Sequence, residues 1–147
     1  MPVGATASRR ARVRLRPAVL AAVATGGMLG GGLRYELVTA FPVVAGRVPW
    51  ITFAINVSGA FVLGVLLTLV LERWPPTRYV RPFAAIGFLG AYTTFSTFAV
   101  ESDLLVKDGH VSITVIYDAL SLVAGLAACF LGIVAARARP AIGRRTR

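Results

Sequence analysis

Gly87-Phe88-Leu89-Gly90-Ala91-Tyr92-Thr93-Thr94-Phe95-Ser96-Thr97-Phe98 is the stretch that decides how this chain is read. It lies inside an apolar run long enough to cross a bilayer, yet Thr93, Thr94, Ser96 and Thr97 crowd hydroxyls into it and glycines flank them. Such a segment is poor helix material in lipid. It survives at membrane depth only where its freed backbone groups meet an ion, a cavity or another subunit. The expectation is a spanning helix broken near its middle, with polar work done at the break.

Working outward, three more apolar segments have spanning length. The four run from about Pro17 to Leu37, Trp50 to Leu71, Pro82 to Val100 and Ser112 to Ala136. The connections are short. The organisation expected is a basic tail over 1–16, a four-helix membrane domain over 17–136 and a basic tail over 137–147. Hydrophobic residues make up 56% of the 147 and the mean hydropathy is +0.74, too apolar for a soluble domain of this size. The fold class expected is an all-α membrane protein with four transmembrane helices.

The formal net charge of +10 would suggest nucleic acid in a soluble protein. Here the basic residues flank the spans, so topology explains them and nucleic acid is not an expected partner. Both termini and the connection between spans two and three share one side. That side carries Arg9, Arg10, Arg12, Arg14 and Arg16, then Arg73, Arg78 and Arg81, then Arg137, Arg139, Arg144, Arg145 and Arg147. The other side carries Arg34, Arg47 and Lys107. Basic residues collect on the cytoplasmic side of membranes, which puts both termini in the cytoplasm. Ala22-Val23-Ala24 resembles a signal cleavage site. Apolarity resumes through Leu33, however, and cleavage would leave an odd number of spans, so an uncleaved first span is expected.

The spans are rich in small residues. Gly26, Gly27, Gly30, Gly31 and Gly32 set two overlapping G-x-x-x-G registers in the first, Ser58, Gly59, Ala60 and Gly64 fall in the second, and Gly125, Ala128 and Gly132 in the fourth. Small residues let helix backbones approach closely in lipid. A thin bundle of four such spans calls for an oligomer.

Several side chains carry candidate chemistry. Asn56 lies deep in span two, where its amide is costly without partners. It serves either an interhelical hydrogen bond or an ion path. Phe95 and Phe98 share a helix face, as a packed pair or as ring edges offered to an anion, since an aromatic ring has a positive edge. Thr94, Ser96 and Thr97 add hydroxyls nearby. In span four Tyr117, Ser121 and Gly125 stack on one face. No lysine or arginine is central in any span, which suits a site that holds a small anion loosely enough to release it. Glu101 and Asp118 are read as near span ends, where charge is tolerated. The one cysteine, Cys129, is read as a small packing residue and the one histidine, His110, as a solvated loop residue. Ser58 has no histidine to activate it, and there is no phosphate loop or metal-ligand cluster. No enzyme is expected.

These marks together resemble the Fluc fluoride channels, also called CrcB proteins. They are Gly26-Gly27-x-x-Gly30-x-x-x-Arg34-Tyr35, Asn56-x-x-Gly59 and Gly87-x-x-Gly90-x-x-Thr93-Thr94-Phe95-Ser96-Thr97-Phe98. The resemblance covers the four spans and leaves out the basic tails. It implies an antiparallel dimer with two narrow pores. It further implies a structural, untransported sodium ion held at the break by the backbone carbonyls of Gly90 and Thr93. The fluoride pore it implies is lined by Asn56, Phe95, Phe98, Ser96, Thr97, Tyr117 and Ser121. Gly125 stands where relatives often have serine, and Tyr92 where a small apolar residue is common. The implied function is passive fluoride efflux across a prokaryotic plasma membrane, protecting the cytoplasm from fluoride. The expected partners are fluoride, membrane lipid and a second subunit. The one-sided basic charge favours an oppositely oriented paralogue over a homodimer, because a strong bias fixes one insertion orientation. Two other readings are a non-conducting structural subunit and a small multidrug exporter. The exporter needs a carboxylate within span one, where this chain has only Glu36, at the end.

Overall fold

The computed structural model describes residues 16–72 and 78–138. Most of both expected basic tails, and Arg73 with its neighbours to 77, lie outside them. Among the described residues every regular element is helical: α1 (Pro17–Ala40), α2 (Trp50–Glu72), π1 (Arg81–Leu89), α3 (Gly90–Tyr92), α4 (Phe95–Lys107) and α5 (Val111–Ala138). Pro17 and Pro82 stand in the first turns of α1 and π1, where a missing N–H costs nothing and the fixed φ suits a helix.

Among the described residues three helical runs are long and apolar enough to cross a membrane: Trp50–Glu72, Arg81–Lys107 and Val111–Ala138. The expectation was four. α1 has the length, 24 residues or about 36 Å. Its five glycines, with Arg34 and Glu36, dilute its apolarity. A second correction concerns Glu101 and Asp118. α4 continues to Lys107 and α5 begins at Val111, so both carboxylates sit inside helices rather than at their ends.

The turn between α4 and α5 explains that length. Gly109 takes φ +82, a left-handed conformation that suits glycine. His110 N–H donates to the Leu105 carbonyl at 2.8 Å and Gly109 N–H to the Val106 carbonyl at 3.0 Å, closing the helix end in a Schellman arrangement. The His110 ring lies over Gly46, where a Cβ would come within 2.8 Å of its Nε2, so the two loops on this side touch.

Small residues set the packing. α1 lies along π1, and a Cβ on Gly26 or Gly30 would overlap the carbonyls of Phe83 or Phe88. Gly27, Gly31 and Gly32 would have room for one. Of the two glycine registers, only Gly26/Gly30 is a helix contact. α2 lies along α5 in the same way, with Gly64 against the Cys129 backbone and Gly132 against that of Phe61. Gly125 has nothing within 4 Å, so it takes no part. The core is thin: Ile55, Leu89, Leu105, Tyr117, Ala128 and Ala136 are its buried apolar residues. Large apolar side chains cover the outside, among them Met28, Leu71, Ile116 and Leu126, as for a protein whose solvent is lipid or a second subunit.

Between α3 and α4 the backbone leaves the helical region. Thr93 is at φ −76, ψ 155 and Thr94 at φ −146, ψ 121, both extended. Helical geometry resumes at Phe95, with Thr94 as its N-cap.

Candidate functional site

Two extended residues inside an apolar run leave backbone groups that need partners. Asn56, from α2, supplies them. Its Nδ2 donates to the Thr94 carbonyl at 3.0 Å, and the Thr94 N–H donates to its Oδ1 at 2.9 Å. One side-chain amide thus satisfies both backbone polar groups of one residue. The Thr94 side chain faces the other way. Its Oγ1 accepts from the Thr97 N–H at 3.1 Å, the usual work of a threonine N-cap. It also meets the hydroxyls of Ser96 at 3.2 Å and Thr97 at 3.0 Å.

These bonds divert donors that a continuous helix would use differently. Thr94 N–H would ordinarily go to the Gly90 carbonyl, and Thr97 N–H to that of Thr93. Both are committed elsewhere, so the carbonyls of Gly90 and Thr93 lack their i+4 donors.

The Tyr92 and Thr93 side chains brace the same place. Thr93 Oγ1 donates back to the Leu89 carbonyl at 2.8 Å. The Tyr92 hydroxyl meets Ser58 Oγ at 3.0 Å, and its ring stacks on Phe88 with centroids 6.0 Å apart. Tyr92 is therefore a tether between the break and α2.

The interruption opens on a groove of about 460 Å³ between α2, π1, α4 and α5. Asn56, Gly90, Thr93, Thr94, Phe95, Phe98 and Ser121 all line it. Phe95 is 80% exposed, and its ring centroid is 5.9 Å from that of Phe98. Ser121 Oγ is buried with no hydrogen-bond partner. The groove's surface is mostly apolar, and among the described residues Asp118 is the only charged one that lines it.

Three of the residues expected in the pore do not line this groove. The hydroxyls of Ser96 and Thr97 turn to Thr94, and neither residue lines the groove. Tyr117 is fully buried. Its ring packs on Phe98 at 5.2 Å, and its hydroxyl donates to Glu101 Oε2 at 3.2 Å. Thr52, from α2, donates to Glu101 Oε1 at 2.7 Å. Glu101 therefore ties α2, α4 and α5 together behind the phenylalanine pair. Sequence reasoning missed Glu101 because it ended the third span at Val100, and it read Asp118 as near a span end although the fourth span began at about Ser112. The signal that was available is the helix stop at Gly109, which moves Glu101 inward.

A family model described as CrcB-like protein, Camphor Resistance (CrcB), matches residues 21–133. The chain is 57% identical over 136 residues to a Streptomyces avermitilis protein named fluoride-specific ion channel FluC 3, covering 92% of this chain and 66% of that relative. It is 46% identical over 131 residues to fluoride-specific ion channel FluC 2 of Nocardia farcinica, covering 89% of this chain and 94% of the relative. At greater distance it is 36% identical over 119 residues to fluoride-specific ion channel FluC of Agrobacterium fabrum, covering 80% and 95%. With the match running from α1 almost to the end of α5, the chain belongs to the CrcB-like family of membrane channels.

Proposed function

We propose that this protein is a subunit of a fluoride-selective channel that lets fluoride leave the cytoplasm passively. The observation that carries the reading is the groove at the interruption, where Asn56, Phe95, Phe98 and Ser121 converge in a chain whose relatives are named fluoride channels. Hydrogen fluoride crosses membranes uncharged and ionises in a more alkaline cytoplasm, where the anion is trapped. An inside-negative potential expels the anion through a selective pore with about 2.3 kcal/mol per charge per 100 mV. No catalytic group is required.

In this reading the residues divide the work. Ring edges of Phe95 and Phe98 replace part of the ion's water without a fixed positive charge. Ser121 Oγ, buried with a proton to donate, is the hydroxyl nearest that task. The Asn56 amide holds the Thr94 peptide in place and keeps one N–H for the groove, since only one Nδ2 hydrogen is used. Ser96 and Thr97 act by fixing the N-terminus of α4, and Tyr117 by positioning Phe98.

The remaining parts of the proposal concern assembly. One groove wall faces outward in a single subunit, so a second, antiparallel subunit would close each pore. The carbonyls of Gly90 and Thr93, freed of their helical donors, suit a hard monovalent cation such as sodium, which takes oxygen ligands. Such an ion would neutralise the carbonyl dipoles and join the subunits without being transported. α1 would complete a fourth span, packed on π1 through Gly26 and Gly30. The arginine bias supports cytoplasmic termini and an oppositely oriented paralogue as partner, in the plasma membrane of a prokaryotic cell.

The test is fluoride efflux from liposomes, first with this chain alone and then with a candidate paralogue. Efflux from either preparation supports the channel. No efflux from correctly folded protein in both overturns it in favour of a structural subunit.

A further inference from the structure

Asp118 lines the groove and has no part in the conduction scheme above. Two helices fix where it stands. On α5 it comes three residues before Ser121, so it lies about 4.5 Å nearer the turn at 108–110. On α4, Ser102 follows Phe98 by four residues, about one helical turn toward the same end. Ser102 Oγ is 2.7 Å from Asp118 Oδ1 and 3.0 Å from the Phe98 carbonyl. The carboxylate is thus held just beyond Phe98 and Ser121, on the side of the α4–α5 turn. In the orientation proposed above that is the outer end, toward which fluoride leaves. No cation among the described residues pairs with Asp118: the ion pairs are Lys107–Asp103 and Arg137–Glu72, both exposed. Its partner, the Ser102 hydroxyl, orients the carboxylate without cancelling its charge. Among the described residues α2 and π1 bring only uncharged side chains to the groove.

Everything else on this wall attracts fluoride: the ring edges of Phe95 and Phe98, the Ser121 hydroxyl and the spare Asn56 N–H. A pathway built from attraction alone keeps its ion, and conduction also needs the ion to leave. A fixed negative charge supplies the opposing force. Two like charges about 10 Å apart in a partly wet cleft change an equilibrium roughly three- to tenfold. We propose that Asp118 is the release element of the pathway, a carboxylate that stays ionised at the outer end of the groove, weakens its hold on fluoride and speeds the ion's departure. This rests on the channel reading above. No proton is taken up or given in the step; the charge is constant.

The experiment is fluoride current across a planar bilayer at a single pH of about 7.5, where an ordinary carboxylate is ionised. Fluoride is varied on both sides while an impermeant anion keeps the ionic strength constant. The protein is reconstituted in whichever combination conducts, alone or with its partner. The readouts are the half-saturating fluoride concentration and the saturating current. Asp118→Asn keeps the shape and removes the charge. Its half-saturating concentration should fall roughly three- to tenfold, and its saturating current should fall as well, because release slows. Ser102→Ala breaks the hydrogen bond and keeps the charge, so it should move the half-saturating concentration much less. An Asp118→Asn protein whose half-saturating concentration or saturating current does not fall overturns the inference and leaves the channel intact. So does an equal shift in Ser102→Ala, which would assign the effect to the lost bond between α4 and α5. Where Asp118→Asn does not assemble, Asp118→Ser, smaller and also neutral, takes its place. Failure of both to assemble makes the carboxylate structural and overturns the inference. Absence of current from every folded version, the wild type included, overturns the channel reading and the inference with it.

Discussion

Asn56 and Thr94 are 38 positions apart and exchange two hydrogen bonds, Nδ2 to carbonyl at 3.0 Å and N–H to Oδ1 at 2.9 Å. The side chain pairs with the peptide as a neighbouring strand would. Asn56→Ala removes both partners at once and leaves an N–H and a carbonyl stranded. Each stranded group costs about 1–3 kcal/mol. The variant should therefore unfold at clearly lower denaturant than wild type, and lose fluoride flux as well. A variant of unchanged stability would show that the pair is not what holds the extended residues.

The phenylalanine pair separates function from folding. Phe95 is 80% exposed on the single chain, whereas Phe98 also packs on the Tyr117 ring. Phe95→Ile should abolish flux while changing subunit stability by no more than about 0.5 kcal/mol. Phe98→Ile should abolish flux and cost about 1 kcal/mol more through the lost aromatic contact. Flux assays paired with thermal melts of the same preparations check both. Unchanged flux in either variant would favour a structural role for the pair.

Glycine substitutions read the helix contact directly. Gly30→Ala drives a methyl into the Phe88 carbonyl, while Gly32 has open space around it. Gly32→Ala should be neutral or stabilising by up to about 1 kcal/mol, since alanine is the better helix former. Gly30→Ala should lower the melting temperature markedly. Equal effects at the two positions would mean that Gly30 is not where α1 meets π1.

Tyr92→Phe deletes the hydroxyl bonded to Ser58 and keeps the stack on Phe88. The expected cost is about 1 kcal/mol, with flux retained because Tyr92 does not line the groove. Loss of flux in a folded Tyr92→Phe protein would make the tether part of the conduction path.

The arginine bias predicts a single insertion orientation. A reporter fused to the C-terminus should be found on the cytoplasmic side only. Neutralising Arg9, Arg10, Arg12 and Arg14 together should produce a mixture of orientations. A mixed population already in the wild type would point to the homodimer.

Composition and periodicity determined that this chain is helical and apolar enough for a membrane, because those properties are sums over neighbouring residues. The same local view picked out Asn56, Phe95, Phe98 and Ser121, which the groove brings together. The hydroxyl run also announced that backbone groups near Thr93 and Thr94 need partners, since a buried N–H or carbonyl is costly alone. What only the tertiary structure decided is who those partners are. Asn56 reaches Thr94 across two helices, Tyr117 turns its hydroxyl from the groove to Glu101, and Gly26/Gly30 rather than Gly27/Gly31 meets π1. Each of these choices depends on how helices rotate about their axes when packed. A rotation of one residue, about 100°, exchanges the groove wall for the lipid face, and no local pattern in the chain sets that angle.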